Sequence, residues 1–176
     1  MTDIAEGLAH EGLRVVRFEF DYMAKRRIDG KRRPPERADK LIAQFIAVLD
    51  GIEGPLAIGG KSMGGRMASM IAAEGTCDRV KACVCLGYPF HPPGKPEKTR
   101  TAHLQTTTTP TLICQGTRDP FGTKDDVEGY DLARAVKMLW LEDGNHDLKP
   151  RKASGITHQD HMKKTIKAVA EWLKAQ

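Results

Sequence analysis

Gly60-Lys61-Ser62-Met63-Gly64 sets one hydroxyl between two glycines, directly after the apolar run Pro55-Leu56-Ala57-Ile58-Gly59. A helix-like stretch through Arg66, Met67, Met70 and Ile71 follows. Strand, sharp turn and helix in that order make a nucleophile elbow, which holds a serine on a strained turn with its hydroxyl exposed. The glycines two before and two after leave room for strand and helix to approach. The same residues also fit an ordinary glycine-rich turn. A serine hydroxyl becomes a useful nucleophile only with a general base beside it, and the base needs an acid to orient it.

Two later loops supply both partners. Gln115-Gly116-Thr117-Arg118-Asp119-Pro120-Phe121-Gly122 follows the apolar run 111–114, and Glu142-Asp143-Gly144-Asn145-His146-Asp147 follows the apolar run 136–141. Asp119 before Pro120 also fits a simple turn, and His146 after Gly144-Asn145 a surface turn. Ser62, Asp119 and His146 each follow their own strand, which is where a parallel sheet presents its chemistry. Asp125 and Asp126 suit a helix start, where acids favour the dipole. Asp143 is close to His146 in sequence, but the acid is expected from the preceding loop. His158 and His161 fall on the final helix as surface or packing residues. His10, His91 and His103 precede the last strand, the wrong place for the base.

The elements that must position these groups are read from periodicity. Residues 2–11 form a short helix with Ile4, Ala5 and Leu8 inward. Residues 13–20, rich in β-branched and aromatic side chains, read as a strand. A basic loop follows, then Pro34 and Pro35 mark a helix start, and Leu41, Ile42, Phe45, Val48 and Leu49 give a helical stripe ending near Gly51. Strands are expected at 56–59, 80–86, 111–114 and 136–141, with helices at 63–73, in part of 123–134 and at 158–173. Residues 87–109 are proline-rich, with one helical turn near Leu104. Strands alternating with helices predict an α/β fold, a mostly parallel doubly wound sheet in one domain over residues 1–176.

Composition narrows the class. The chain has 176 residues, 40% hydrophobic and 29% charged, enough for one globular core. No apolar run is long enough to cross a bilayer, so no membrane association is expected. The start lacks a basic flank and apolar signal core, which points to a cytoplasmic protein. The net charge of +5 is concentrated in Lys25, Arg26, Arg27, Lys31, Arg32 and Arg33. No nucleic-acid module or interleaved aromatics accompany it, so it reads as a solvated loop rather than a nucleic-acid contact. Cys77, Cys83, Cys85 and Cys114 form no Cys-x-x-Cys pair, and no His or Cys pairs show ligand spacing. Buried free thiols and no bound metal are expected. Trp140 and Trp172 read as packing residues.

Several segments together resemble the dienelactone-hydrolase-like branch of the α/β-hydrolases. They are similar to a poorly characterised family that includes a subunit of a eukaryotic histone-acetyltransferase complex. The matching residues are 15–23 (Val-Val-Arg-Phe-Glu-Phe-Asp-Tyr-Met), 59–66 (Gly-Gly-Lys-Ser-Met-Gly-Gly-Arg), 86–95 (Leu-Gly-Tyr-Pro-Phe-His-Pro-Pro-Gly-Lys), 115–122 and Asp143-Gly144-Asn145-His146. The order Ser62, Asp119, His146 is also that of the α/β-hydrolases. The resemblance implies Ser62 as nucleophile, His146 as base and Asp119 as acid, and supplies no substrate; the three residues together lead us to expect a small serine hydrolase acting on an ester, thioester or lactone, with no cofactor. The Met63 N–H would be one oxyanion donor.

Such hydrolases carry a strand and a His-Gly-rich loop before the first helix used here, and that loop gives the second oxyanion N–H. No such loop precedes Thr2, so the chain is expected to be N-terminally truncated relative to the family. The missing strand would lie between the segment 13–20 and the strand at 56–59. Its absence leaves an exposed sheet edge that could pair two copies in a homodimer. The short segment 87–109 predicts an open site without a lid domain for a small acyl substrate. Tyr22, Tyr88 and Phe121 are candidates to line it, with core packing the competing role.

Overall fold

Four parallel strands, β1 (Leu56–Lys61), β2 (Val80–Leu86), β3 (Thr111–Gly116) and β4 (Val136–Leu141), form a single sheet in the order β1-β2-β3-β4. The computed structural model describes all 176 residues. The helices are α1 (Thr2–His10), α2 (Asp21–Asp29), α3 (Ala38–Asp50), α4 (Met63–Glu74), α5 (Ala102–Thr106), α6 (Lys124–Glu128) and α7 (His158–Lys174). Because successive strands step in one direction, right-handed crossovers put their connecting helices on one face of the sheet. The other face is left to α1 and α7.

The alternation of side chains along β2 and β3 divides the core accordingly. Cys83, Cys85 and Ile113 point into the larger cluster, with Met67, Ala68, Ile71 and Ala72 of α4, Leu41, Phe45 and Leu49 of α3, Leu104 of α5 and Val127 of α6. Leu86, Leu112 and Cys114 point the other way, onto Ile4 of α1 and Val169 of α7. Both faces of β2 and β3 are therefore buried, which explains their nearly unbroken apolar runs. Burying a side chain such as Leu41 or Ile113 stabilises by about 1.5–3 kcal/mol. The free thiols of Cys83, Cys85 and Cys114 are buried, and burial pushes Cys114 up to about 12.

Local signals set the helix ends. Thr157 accepts from the Asp160 N–H while Asp160 accepts from the Thr157 N–H, a reciprocal cap that starts α7. Thr123 and Asp126 cap α6 in the same way. α3 begins at Ala38, three residues beyond Pro35. No helix is long and apolar enough to cross a membrane.

Two expectations are corrected. Residues 13–20 do not form a strand. Strand identity needs a neighbour, and the backbone groups of residues 14–19 make no backbone hydrogen bond. Only Phe20 reaches the core, where it joins Phe18 and Phe45 edge to face. Val15, Val16 and Phe18 remain exposed. β1 pairs with β2 alone and carries no strand on its outer side. The basic loop is half helical: Lys25, Arg26 and Arg27 lie in α2, which ends at Gly30 in the left-handed conformation. Arg27 pairs with Glu19, and Arg33 with Asp29.

Candidate active site

Ser62 stands between β1 and α4 with φ 52° and ψ −116°. That left-handed φ is costly for a residue with a Cβ and persists only where the surroundings enforce it. Its N–H extends the sheet ladder by donating to Leu86 O at 2.9 Å, and its C=O accepts from Arg66 N at 3.0 Å. Strand and helix thus grip the turn from both sides. The close approach falls on Gly60 and Gly65. A Cβ on Gly65 would lie 2.7 Å from Gly60 O and 3.2 Å from Cys85 Cβ, whereas one on Gly64 would meet nothing. The glycine two after the serine is therefore not the one that makes room; its neighbour is.

The loops after β3 and β4 bring the partners in. His146 Nε2 is 2.8 Å from Ser62 Oγ, and His146 Nδ1 is 2.8 Å from Asp119 Oδ2. Asp119 is fully buried. Its Oδ1 accepts from Phe121 N at 2.9 Å, so it also makes the turn that its place before Pro120 suggests. Its Oδ2 accepts a second bond from Gln115 Nε2 at 2.9 Å. A buried carboxylate with three donors fixes the Nδ1–H tautomer of His146 and leaves Nε2 free to take a proton.

Sequence reasoning passed over the groups that hold these three. Gln115 is fully buried; its Oε1 accepts from Tyr88 N at 2.7 Å, and its Nε2 also faces Tyr88 O and Gly122 O at 3.1 Å. Its signal was a lone amide on a strand whose neighbours are all buried. Gly87, at φ 60°, lies under the histidine loop, where a Cβ would come within 2.6 Å of His146 O. Asp143 takes a role other than the catalytic acid. It accepts from Arg151 N at 2.7 Å and pairs with the Arg151 and Arg118 guanidinium groups. The Arg151 hydrogen bonds hold its carboxyl down at about 2. It therefore staples the loop that carries His146.

The neighbours of the serine and histidine are tied as well. Lys61 Nζ meets Asp147 Oδ1 at 2.6 Å and lowers that carboxyl. This pair lines a cavity of about 280 Å³ with Met1, Asp3, Ile4, Leu86 and Leu148. The Met63 N–H opens α4, where first-turn amides have no intrahelical acceptor. Of the three aromatic candidates, Phe121 sits against the His146 ring, with centroids 4.3 Å apart. Tyr88 is fully buried, packs on Phe90 and donates to Arg100 O, so it belongs to the core. Tyr22 is half-buried and stacks on Phe20. No cluster of three or more His, Cys, Asp or Glu side chains could hold a metal ion.

The fold recurs in solved structures. An alpha-beta serine hydrolase homologue from Coxiella burnetii superposes with a TM-score of 0.69 at 18% identity, over 98% of this chain and 74% of that one. The esterase domain of a Rhodothermus marinus protein gives 0.67 at 16% identity, over 97% and 78%. A protein of unknown function from Agrobacterium tumefaciens, grouped with the alpha/beta hydrolases, gives 0.70 at 14% identity, over 99% and 77%. At these identities the likeness speaks for the fold alone. The model of the alpha/beta hydrolase domain family matches residues 1–174, nearly the whole chain, and the chain belongs to that family.

Proposed function

We propose that this chain is a serine hydrolase that cleaves a small ester, thioester or lactone. The observation that carries the reading is the unbroken hydrogen-bonded line from Ser62 through His146 to Asp119, with 2.8 Å at each step. Ser62 Oγ attacks the acyl carbonyl while His146 Nε2 takes its proton. Asp119 keeps the ring oriented and stabilises the imidazolium. The Met63 N–H faces the oxyanion. His146 then returns the proton to the leaving oxygen or sulfur as the acyl–Ser62 ester forms. Water, deprotonated by the same nitrogen, releases the acid in the second half.

The short segment between β2 and β3, anchored by buried Tyr88 and Phe90, supports an open site without a lid. The residues around Ser62, 86–95 and 115–122 support a place in the dienelactone-hydrolase-like branch. The buried free thiols favour a reducing, cytoplasmic setting. The reading is tested with 4-nitrophenyl acetate and purified protein. Hydrolysis should fall by at least about a thousandfold in Ser62→Ala. Equal rates in the two proteins would remove Ser62 from the reaction.

One observation favours a second reading, a hydrolase-fold interaction module. Residues 14–19 leave their backbone groups unbonded beside exposed Val15, Val16 and Phe18, and β1 has an open edge. Such an edge pairs readily with another strand, including that of a second copy. Absence of esterase activity together with a concentration-dependent dimer in sedimentation would favour this reading.

A further inference from the structure

His146 belongs to the loop after β4, while Ser62 ends β1, three strand spacings or about 14 Å away across the sheet. The histidine loop is pinned along that path. Gly144 O accepts from Arg118 N at 2.9 Å, on the loop after β3. Asn145 Oδ1 accepts from the backbone of Asp147 and Lys149 at 2.9 and 3.0 Å, which closes the turn. Leu148, left-handed at φ 61°, has its carbonyl oxygen 2.7 Å from Nδ1 of buried His161 on α7.

Toward β1 the loop makes two polar contacts. One is the His146–Ser62 bond of the reaction itself; the other is Lys61–Asp147, at 2.6 Å. Lys61 precedes the nucleophile and Asp147 follows the base, so the second contact doubles the first. Side chains alternate along β1. With Ile58 in the larger cluster, Lys61 points to the other face, where it meets a cavity lined also by Ile4 of α1 and Met162 of α7. Ser62 and His146 do not line that cavity, so the grip lies away from the reacting atoms.

The same pair balances charge. Asp143 is held by Arg118 and Arg151 and Asp147 by Lys61, while Asp119, which touches the ring, has no cation besides His146 itself. The Lys61 hydrogen bond and then the Lys61 charge lower the Asp147 carboxyl, and the charges of His146 and His158 add to this. Asp147 is thus electrostatically coupled to the ring. Asp3 of α1 and His158 of α7 are the remaining charged or titratable side chains on the cavity. Asp147 is largely exposed, so water screens the pair and its contribution to stability is small. A charge one residue from an imidazole still biases its protonation.

We propose that Lys61 and Asp147 are a positioning pair: they tether the histidine loop to the elbow and cancel each other's charge beside His146, so that Asp119 alone biases the ring. The proposal rests on the serine hydrolase reading of Ser62 and His146.

The acid limb of kcat/KM, which reports the base in the free enzyme, tests it with 4-nitrophenyl acetate. Lys61→Met leaves the Asp147 carboxylate unbalanced and favours the imidazolium, so the limb should move to higher pH. Asp147→Asn leaves the Lys61 ammonium unbalanced, so the limb should move to lower pH. Each shift should be at least about 0.3 pH unit, and the double variant should return to the wild-type limb. In both single variants kcat at the optimum should fall at least about threefold with KM unchanged, because the tether is lost. The shifts should persist in a His158→Gln background. Limbs that stay in place or move in the same direction, shifts that vanish in that background, or an unchanged kcat in both single variants would overturn the proposal. Should the wild type not cleave the ester, the hydrolase reading fails, and NMR titration of the His146 ring in the same proteins decides the pair by itself. Opposite shifts support it, and equal titrations overturn it.

Discussion

Gln115 Nε2 and His146 Nδ1 converge on the same oxygen of Asp119, at 2.9 and 2.8 Å. One buried carboxylate oxygen is thus shared by the histidine that it orients and by an amide that is itself fully buried. The amide in turn spans the loops after β2 and β3, since it also bonds Tyr88 and Gly122. Asp119 owes its place to this bridge as much as to its own turn.

Replacing Gln115 should therefore separate position from chemistry. Gln115→Ala leaves the buried Tyr88 N–H and one Asp119 lone pair without partners, at about 1–3 kcal/mol each. Denaturant unfolding should show that loss. Because a misplaced triad member can cost up to about a hundredfold in rate, kcat in 4-nitrophenyl acetate hydrolysis should drop tenfold or more with little change in KM. A loss confined to stability would limit Gln115 to a packing role.

The glycines of the elbow should respond unequally. Gly65→Ala drives a Cβ to 2.7 Å from Gly60 O in the tightest strand–helix contact, and overpacking of this kind costs about 1–3 kcal/mol. Gly64→Ala meets open space and gains helix propensity, so its stability should be unchanged or up to about 1 kcal/mol higher. Thermal or urea unfolding of the two variants distinguishes them. Equal destabilisation would contradict the close-approach geometry.

Acid should weaken the fold through His103. Burial and the Arg66 charge lower its pKa from 6.5 to about 4 in the folded chain. Below 6.5 the unfolded chain takes up a proton that the folded chain refuses until near 4. Stability is fully present above that window and lost as pH falls through it, by about 1–2 kcal/mol once partial solvent screening is allowed for. Urea unfolding between pH 7 and 4 should show this slope in the wild type and a shallower one in His103→Gln. Parallel slopes would remove His103 from the account.

What the sequence made legible follows from how local each signal is. β2 and β4 fall within their expected bounds because apolar runs closed by Gly or acidic loops mark strands without outside help. Ser62, Asp119 and His146 were each readable as a residue of suitable chemistry on the loop after its own strand. Residues 13–20 have the composition of a strand but no pairing partner, and pairing is not written in a segment's own residues. Gln115, Gly65 and Asp143 were missed or misplaced for a related reason. Their roles depend on contacts with Asp119, Cys85 and Arg151, which the fold alone brings together.

The central claim is that Ser62 is the activated nucleophile. A fluorophosphonate probe followed by intact-mass and peptide analysis reads this directly. One adduct should form on the wild type, at Ser62, with none on Ser62→Ala and a much slower one on His146→Ala. Labelling of Ser62→Ala at the wild-type rate, or an adduct at another residue, would contradict the claim.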